Sequence, residues 1–425
     1  MLFFWRRSGL KRLYCCTFRL ILVASICLSI GVFVFNILLV NQRPSVVKKD
    51  EESVLSEKLD ETPKFFEEKS EKIPVLAQPK KKRQNLIIVA HGRSGSTFLG
   101  NIFNNHPSVF YLFEPYQTVE RLVAFQPKNS QEYHDLAFSW MKGIFQCNFV
   151  SSRHVADLQS YYRKEYPSNY NPFKSLTLLQ PPFCIYNTTD PRWSLESCPP
   201  LDQGTMEDSC RTQHSVTVVK VLISRMPDTN LKQLLTICDT DQFDCKFIFL
   251  VRDPRGIIPS SKAVGFYGDN DKVLLNGTQR FSQEVCGATY KNLNIIRFLQ
   301  AQMKKRFMLL RYEDLAVNPL EMLPKLLEFA GLPEDESLTR WLYLASHSPE
   351  TKSEQSAARW RQDSKEGAER WRWKVKSSII SVIEHYCKDV METLGYIPVN
   401  GSYQVQKNLT ISLLEEYYDA LHWFQ

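Results

Sequence analysis

Residues 86–114, LIIVAHGRSGSTFLGNIFNNHPSVFYLFE, constrain this chain more than any other stretch. A short apolar run rich in β-branched residues feeds a Gly/Ser loop, and the loop feeds a segment with helical spacing. That order builds an anion cradle: successive backbone N–H groups converge at a helix N terminus, where the dipole also favours negative charge. The nucleoside-triphosphatase pattern GxxxxGK(S/T) needs a Lys directly before the Ser/Thr that holds magnesium. Here Ser96 precedes Thr97, and the cation, Arg93, lies upstream. The loop suits an anion and does not call for a metal.

The 425 residues allow one large domain plus appendages, and the formal net charge is +7. Its location matters more than its size. Residues 1–83 carry 16 Lys/Arg against 9 Asp/Glu, an excess of seven, and the remaining 342 residues carry 37 of each sign. A nucleic-acid binder puts its basic excess on the folded domain, so no nucleic-acid partner is expected.

Residues 20–40 form a 21-residue run without charge, long enough to span a bilayer. Arg6, Arg7, Lys11, Arg12 and Arg19 precede it with no acidic residue, which places the N terminus in the cytosol. A cleaved signal peptide is the rival, but the run is too long and no small-x-small site closes it. The expected organisation is a cytosolic tail 1–19, an anchor 20–40, an extended stem 41–84, a lumenal domain 85–400 and an extension 401–425. Two counts fit a lumenal domain. Eight of eleven cysteines lie beyond the membrane, an even number suited to disulfides, with their pairing left open. The four N-x-S/T acceptors, Asn187, Asn276, Asn400 and Asn408, lie there too.

Apolar strands are expected at 86–90, 109–113, 216–222, 246–251 and 307–311, separated by helices. Residues 147–211 interrupt them as a cysteine-containing excursion. The fold class is therefore α/β: a P-loop-like three-layer fold with a central parallel sheet flanked by helices. Ligands of such sheets sit at the carboxyl ends of the strands.

A second loop at that end reads VRDPRGIIPSSK, residues 251–262. Arg252 leaves a buried strand, a turn follows, and Ser260 and Ser261 follow on a helix. A planar guanidinium beside hydroxyls suits a phosphate. Two such loops on one edge suit a ligand with two separated anionic groups.

Together, HGRSGST, a strand ending FEP, RDPRG with SS after it, and LRYEDL at 310–315 resemble the sulfotransferase superfamily. Within it, the chain is similar to the Golgi carbohydrate 6-O-sulfotransferases acting on galactose, N-acetylglucosamine or N-acetylgalactosamine. The segment WRWKVKSSIISVIEHYCKDVMETLGY, 371–396, looks like that family's closing helix, so the resemblance spans roughly residues 85–396.

The resemblance implies a donor, 3′-phosphoadenosine 5′-phosphosulfate (PAPS), without a metal. Gly92, Arg93, Ser94, Gly95, Ser96, Thr97 and Phe98 would wrap its 5′-phosphosulfate, with Arg93 neutralising the bridging oxygen as it leaves. Arg252, Asp253, Pro254, Arg255, Gly256, Ile257, Ile258, Pro259 and Ser260 would form the 3′-phosphate loop, with Arg252 and Ser260 as direct ligands. Gly256 stands where Ala is more familiar. Partners implied are a glycan or glycosaminoglycan acceptor and, through the anchor, the Golgi membrane; a homo-oligomer is compatible.

Glu114 is the candidate general base, since it ends the strand after the phosphate-loop helix. Desolvation beside Phe113 and Pro115 is expected to raise its pKa. His91 and His106 are alternative bases. Lys220 and Arg225 are candidates to face the cleft. Trp360, Trp371 and Trp373, interleaved with Arg359, Arg361 and Arg372, are read either as sugar-stacking platforms or as packing anchors. A rival function, a metal-dependent glycosyltransferase, would use the D-x-D pair Asp239 and Asp241, which an ordinary turn also explains.

Overall fold

Five strands, β1 (Arg83–Ala90), β2 (Val109–Phe113), β3 (Val216–Leu222), β4 (Phe243–Val251) and β5 (Phe307–Arg311), pair in the order β2-β3-β1-β4-β5. Every pairing is parallel. The computed structural model describes residues 82–149, 151–164, 174–240, 242–269, 274–303, 305–347 and 364–423. The expected tail, the anchor, the stem up to residue 81, and Trp360 with its neighbouring arginines lie outside the described residues. Among the described residues, no helix is long and apolar enough to cross a membrane.

The strands are those the apolar runs predict. However, β1 and β4 start three residues earlier, because the ladder continues through polar Gln84, which pairs with Val216 and Asp244. Side chains alternate strictly between two packed faces, as strand geometry requires. Ile87, Val89, Val219, Val221, Phe247 and Phe249 enter one buried cluster. Leu86, Ile88, Ala90, Val216, Val218, Ile248 and Leu250 enter the other.

Helices cover both faces. Helix Gln131–Phe145 brings Trp140, Met141 and Ile144 to the first cluster, and helix Asn276–Met303 brings Leu293 and Ile296. Helix Ser96–Asn104 brings Leu99, Ile102 and Phe103 to the second, and helix Pro319–Ala330 brings Leu323, Leu326 and Leu327. Burial of this kind contributes about 1.5–3 kcal/mol per large apolar side chain.

The cysteines pair as Cys147–Cys210, Cys184–Cys198, Cys238–Cys245 and Cys286–Cys387. Two of these bridges tie the irregular excursion. There the buried Arg163 donates to the carbonyls of Pro199, Leu178 and Phe183. The expected closing helix is instead broken into Trp371–Lys374, Ser377–Tyr386 and Lys388–Thr393. The breaks fall at Lys376, whose backbone is extended, and at Cys387, which is bridged to helix Asn276–Met303.

Candidate active site

The loop after β1 turns into helix Ser96–Asn104 through Gly95, whose φ of 86° lies in the left-handed region. A Cβ there would stand 2.1 Å from the Tyr312 ring, so only glycine fits on both counts. Ser94 is buried and donates through Oγ to the His91 carbonyl at 2.7 Å, closing the loop on itself. The N–H groups of Gly95, Ser96 and Thr97 precede the first helical hydrogen bonds and find no acceptor among the described residues. Three amides thus converge where the helix dipole is positive, a cradle fit for a phosphosulfate.

The loop after β4 presents Arg252. Its Nη1 donates to the Arg93 carbonyl at 2.8 Å and its Nη2 to the Gly367 carbonyl at 2.7 Å, and the guanidinium lies 4.6 Å from the Tyr312 ring centre. Arg252 Nε is buried without a partner. Ser260, on helix Pro254–Ala263, accepts from Arg93 Nε at 3.0 Å. The residues expected to hold the two ends of one donor therefore meet on a single sheet edge. Arg93, Ser260 and the Arg252 guanidinium thus bring two cations and a hydroxyl to one place, which suits an anionic group.

The other residues expected in this loop act differently. Pro259 is half-buried, whereas Asp253, Pro254, Arg255, Gly256, Ile257 and Ile258 are buried. Arg255 is fully enclosed. It binds both Asp253 oxygens and Glu384, and stacks 4.2 Å from the Trp371 ring. A guanidinium this size, paired inside, frames the loop and does not meet a ligand. Glu313, also buried, accepts from the Asp253 amide at 3.1 Å and from the Tyr396 hydroxyl at 3.1 Å. Burial, with Asp253 adding to it, pushes the Glu313 pKa up to about 7.

Glu114 leaves β2 with a φ of 50°, and Arg93 has a φ of 68°. Both candidate catalytic residues thus sit in the left-handed region, at a cost of about 1–2 kcal/mol each. Glu114 is held there by its own amide, which donates to the Lys220 carbonyl at 2.8 Å. The residue is only 6% exposed. Oε1 pairs with Lys220 Nζ, and Oε2 accepts from Arg225 Nη1 at 2.6 Å and Gln117 Nε2 at 2.8 Å. Arg225 in turn binds Glu120, which pairs with Lys128.

The expected rise in the Glu114 pKa is corrected by this setting. Burial is the largest influence and does push upward, but Lys220, Arg225 and the hydrogen bonds from Lys220 and Gln117 together pull the value below the ordinary range. The sequence carried a signal for the clamp, because a Lys inside the otherwise apolar strand VTVVKVL needs a buried counter-ion.

The alternative bases are committed elsewhere. His91 Nε2 shares a hydrogen bond with Thr289 Oγ1 at 2.9 Å, and burial lowers its pKa to about 4. His106 bridges the Ser108 amide and the Pro333 carbonyl. Trp371 is buried against Arg255, and Arg372 is buried against main-chain carbonyls of residues 405–411, so both pack; Trp373 is half-exposed. Asp239 precedes β4, at the opposite end of that strand from Arg252, roughly 30 Å away at strand rise. Asp241 lies outside the described residues, and among those described no group of three His, Cys, Asp or Glu is placed to hold a metal. The four sequon asparagines are all exposed.

The family model described as "Sulfotransferase family" matches residues 85–336. Carbohydrate sulfotransferase 1 of Danio rerio is 27% identical over 374 residues, covering 83% of this chain and 86% of that protein. Its Mus musculus counterpart is 29% identical over 373 residues, covering 81% and 86%. Carbohydrate sulfotransferase 3 of Mus musculus is 26% identical over 365 residues, covering 79% and 72%. Among solved structures, the sulfotransferase domain of the Synechococcus PCC 7002 olefin synthase aligns with a TM-score of 0.39 at 18% identity, covering 73% of this chain and 96% of that one.

Proposed function

Because the chain belongs to the sulfotransferase family, we propose that it transfers the sulfuryl group of PAPS to a sugar hydroxyl, O-6 of galactose, N-acetylglucosamine or N-acetylgalactosamine, in a glycan or glycosaminoglycan. One observation carries this reading: two anion-binding loops joined on one sheet edge, with Arg93 bonded to Ser260 and Arg252 bonded to the Arg93 carbonyl. The relatives named as carbohydrate sulfotransferases support a sugar acceptor.

Bound in these loops, PAPS would supply an already activated sulfuryl group. The amides of Gly95, Ser96 and Thr97 and the Thr97 hydroxyl bind its 5′ end. Arg93 offsets charge on the bridging oxygen, and Arg252 and Ser260 hold the 3′-phosphate. Such transfers depend on positioning and charge stabilisation, by analogy with phosphoryl transfer. Glu114, kept ionised by Lys220 and Arg225, takes the proton of the acceptor hydroxyl. Oε2 is the oxygen that can serve, since Arg225 is 23% exposed and Lys220 only 2%.

The same reading makes the chain a Golgi type II membrane protein with residues 85–400 in the lumen. Four disulfides and four exposed sequon asparagines support it. The test is incubation of the enzyme with radiolabelled PAPS and a panel of galactose-, N-acetylglucosamine- and N-acetylgalactosamine-bearing oligosaccharides, with EDTA or with manganese. Label on a sugar in EDTA is expected. No labelled sugar, or activity restored only by manganese, overturns the reading.

A further inference from the structure

Helix Pro254–Ala263 ends in a turn that aims one side chain at the phosphate loop. Gly265 has a φ of 80°; its amide donates to the Lys262 carbonyl at 3.0 Å, and the Phe266 amide donates to the Ser261 carbonyl at 3.1 Å. These are the two bonds of a Schellman cap, whose last residue normally packs back on its own helix. Phe266 does something else. A Cβ on Gly92 would stand 3.1 Å from its ring and 4.0 Å from Leu222, so the ring lies on the bare backbone of the phosphate loop beside the end of β3. It nevertheless remains 56% exposed.

The chain just after Phe266 is held as well. Tyr267 stacks on Phe281 with ring centres 4.6 Å apart, and Asp269 pairs with Lys262 and accepts from the Thr278 amide at 2.8 Å. Phe266 is thus a large, mostly exposed apolar ring lying over a glycine backbone.

Sheet order identifies the side of the site it occupies. Along the carboxyl edge, Arg252 follows β4, the Gly92–Arg93 loop follows β1, Leu222 ends β3 and Glu114 follows β2, in the spatial order β4-β1-β3-β2. Phe266 lies on the β1 loop, and Leu222 at the end of β3 comes within 4.0 Å of the same point above Gly92. The ring thus shares the Gly92 surface with the end of β3, the next strand in order toward β2 and Glu114. On the proposed function, which this inference rests on, that is the side from which the acceptor hydroxyl approaches.

We infer that Phe266 is the platform on which the acceptor sugar ring stacks, a specificity-determining residue for the transfer. The electron-rich face of an aromatic ring attracts the polarised C–H bonds on one face of a pyranose, and Gly92 leaves the ring room that any larger residue would take.

The experiment compares the full-length enzyme with Phe266→Ala, Phe266→Leu and Phe266→Trp. It uses the best oligosaccharide from the panel as acceptor, with binding of 3′-phosphoadenosine 5′-phosphate measured separately. Ala and Leu are expected to raise the acceptor KM about five- to tenfold, as loss of one stacking contact implies. Trp should retain it, and nucleotide affinity should stay within twofold in all three. Retained nucleotide binding also shows that the variants fold, and Leu keeps the bulk if Ala does not. An unchanged acceptor KM, or a loss confined to the nucleotide, overturns the inference while wild-type sulfate transfer leaves the proposed function standing.

Discussion

The guanidinium of Arg252 donates to the main-chain carbonyl of Arg93 at 2.8 Å. One loop thus braces the backbone of the other, and the amide cradle after β1 is not independent of the arginine after β4. The second arm of the same guanidinium reaches the Gly367 carbonyl, which ties the C-terminal segment to the site.

Arg252→Ala is therefore expected to raise the PAPS KM about 10- to 100-fold, the loss of one charge-assisted ligand plus slackening of the loop. Turnover at saturating donor should fall less. Arg252→Lys should recover little, because an ammonium cannot fork between a carbonyl and a phosphate. Calorimetric titration with 3′-phosphoadenosine 5′-phosphate checks this, and unaltered affinity in the Ala variant would remove Arg252 from the donor site.

Glu114→Gln should show the converse. Turnover is expected to drop by about 10²–10⁴ with nucleotide affinity within twofold, the mark of a lost general base. Gln keeps the shape between Lys220 and Arg225, whereas Glu114→Ala breaks a buried pair and should also destabilise by about 3–5 kcal/mol. Kinetics beside a melting curve separate the two effects; equal losses of donor binding in Arg252→Ala and Glu114→Gln would refute this division of roles.

The sheet was legible in the sequence because fully buried parallel strands read as unbroken apolar runs, and 216–222 is strand throughout as expected. The placement of the two loops was legible because each directly follows a buried apolar strand, and both lie on the carboxyl edge of the sheet. What stayed hidden depends on distant partners. Arg255 looks like a phosphate ligand beside Arg252 until Glu384 and Trp371, more than a hundred residues on, enclose it. The apolar neighbours of Glu114 point its pKa upward, whereas the cations that decide it arrive from β3 and the turn after it. Phe266 carried no local signal, since its meaning comes from lying over Gly92.

The clamp on Glu114 makes a kinetic prediction with a definite sign. Lys220 and Arg225 hold the folded pKa below the unfolded value, so the carboxylate stays ionised in the folded state where the unfolded chain would protonate, and the stability it contributes is lost as pH falls through the folded value. Lys220→Met removes the buried ammonium but leaves burial, the influence that raises the pKa. The acid limb of the kcat/KM profile should then move to higher pH, with the donor KM little changed. A lower plateau with the limb in place would mean that Lys220 only packs.

Glu313 gives the opposite sign. Its pKa rises to about 7 on folding, so between roughly pH 4.3 and 7 the native state binds more protons than the unfolded chain and stability falls as pH rises. The full penalty is present above pH 7 and is on the order of 3 kcal/mol for a shift of this size. Glu313→Gln retains an acceptor for the Asp253 amide and cannot ionise. It should match wild type in melting temperature near pH 5 and exceed it near pH 8. Because Glu313 holds Asp253 at the root of the Arg252 loop, donor affinity in wild type should weaken over the same interval and stay flat in E313Q. Parallel melting and nucleotide-binding curves against pH check both, and a variant whose pH dependence equals that of wild type would show that Glu313 does not titrate there.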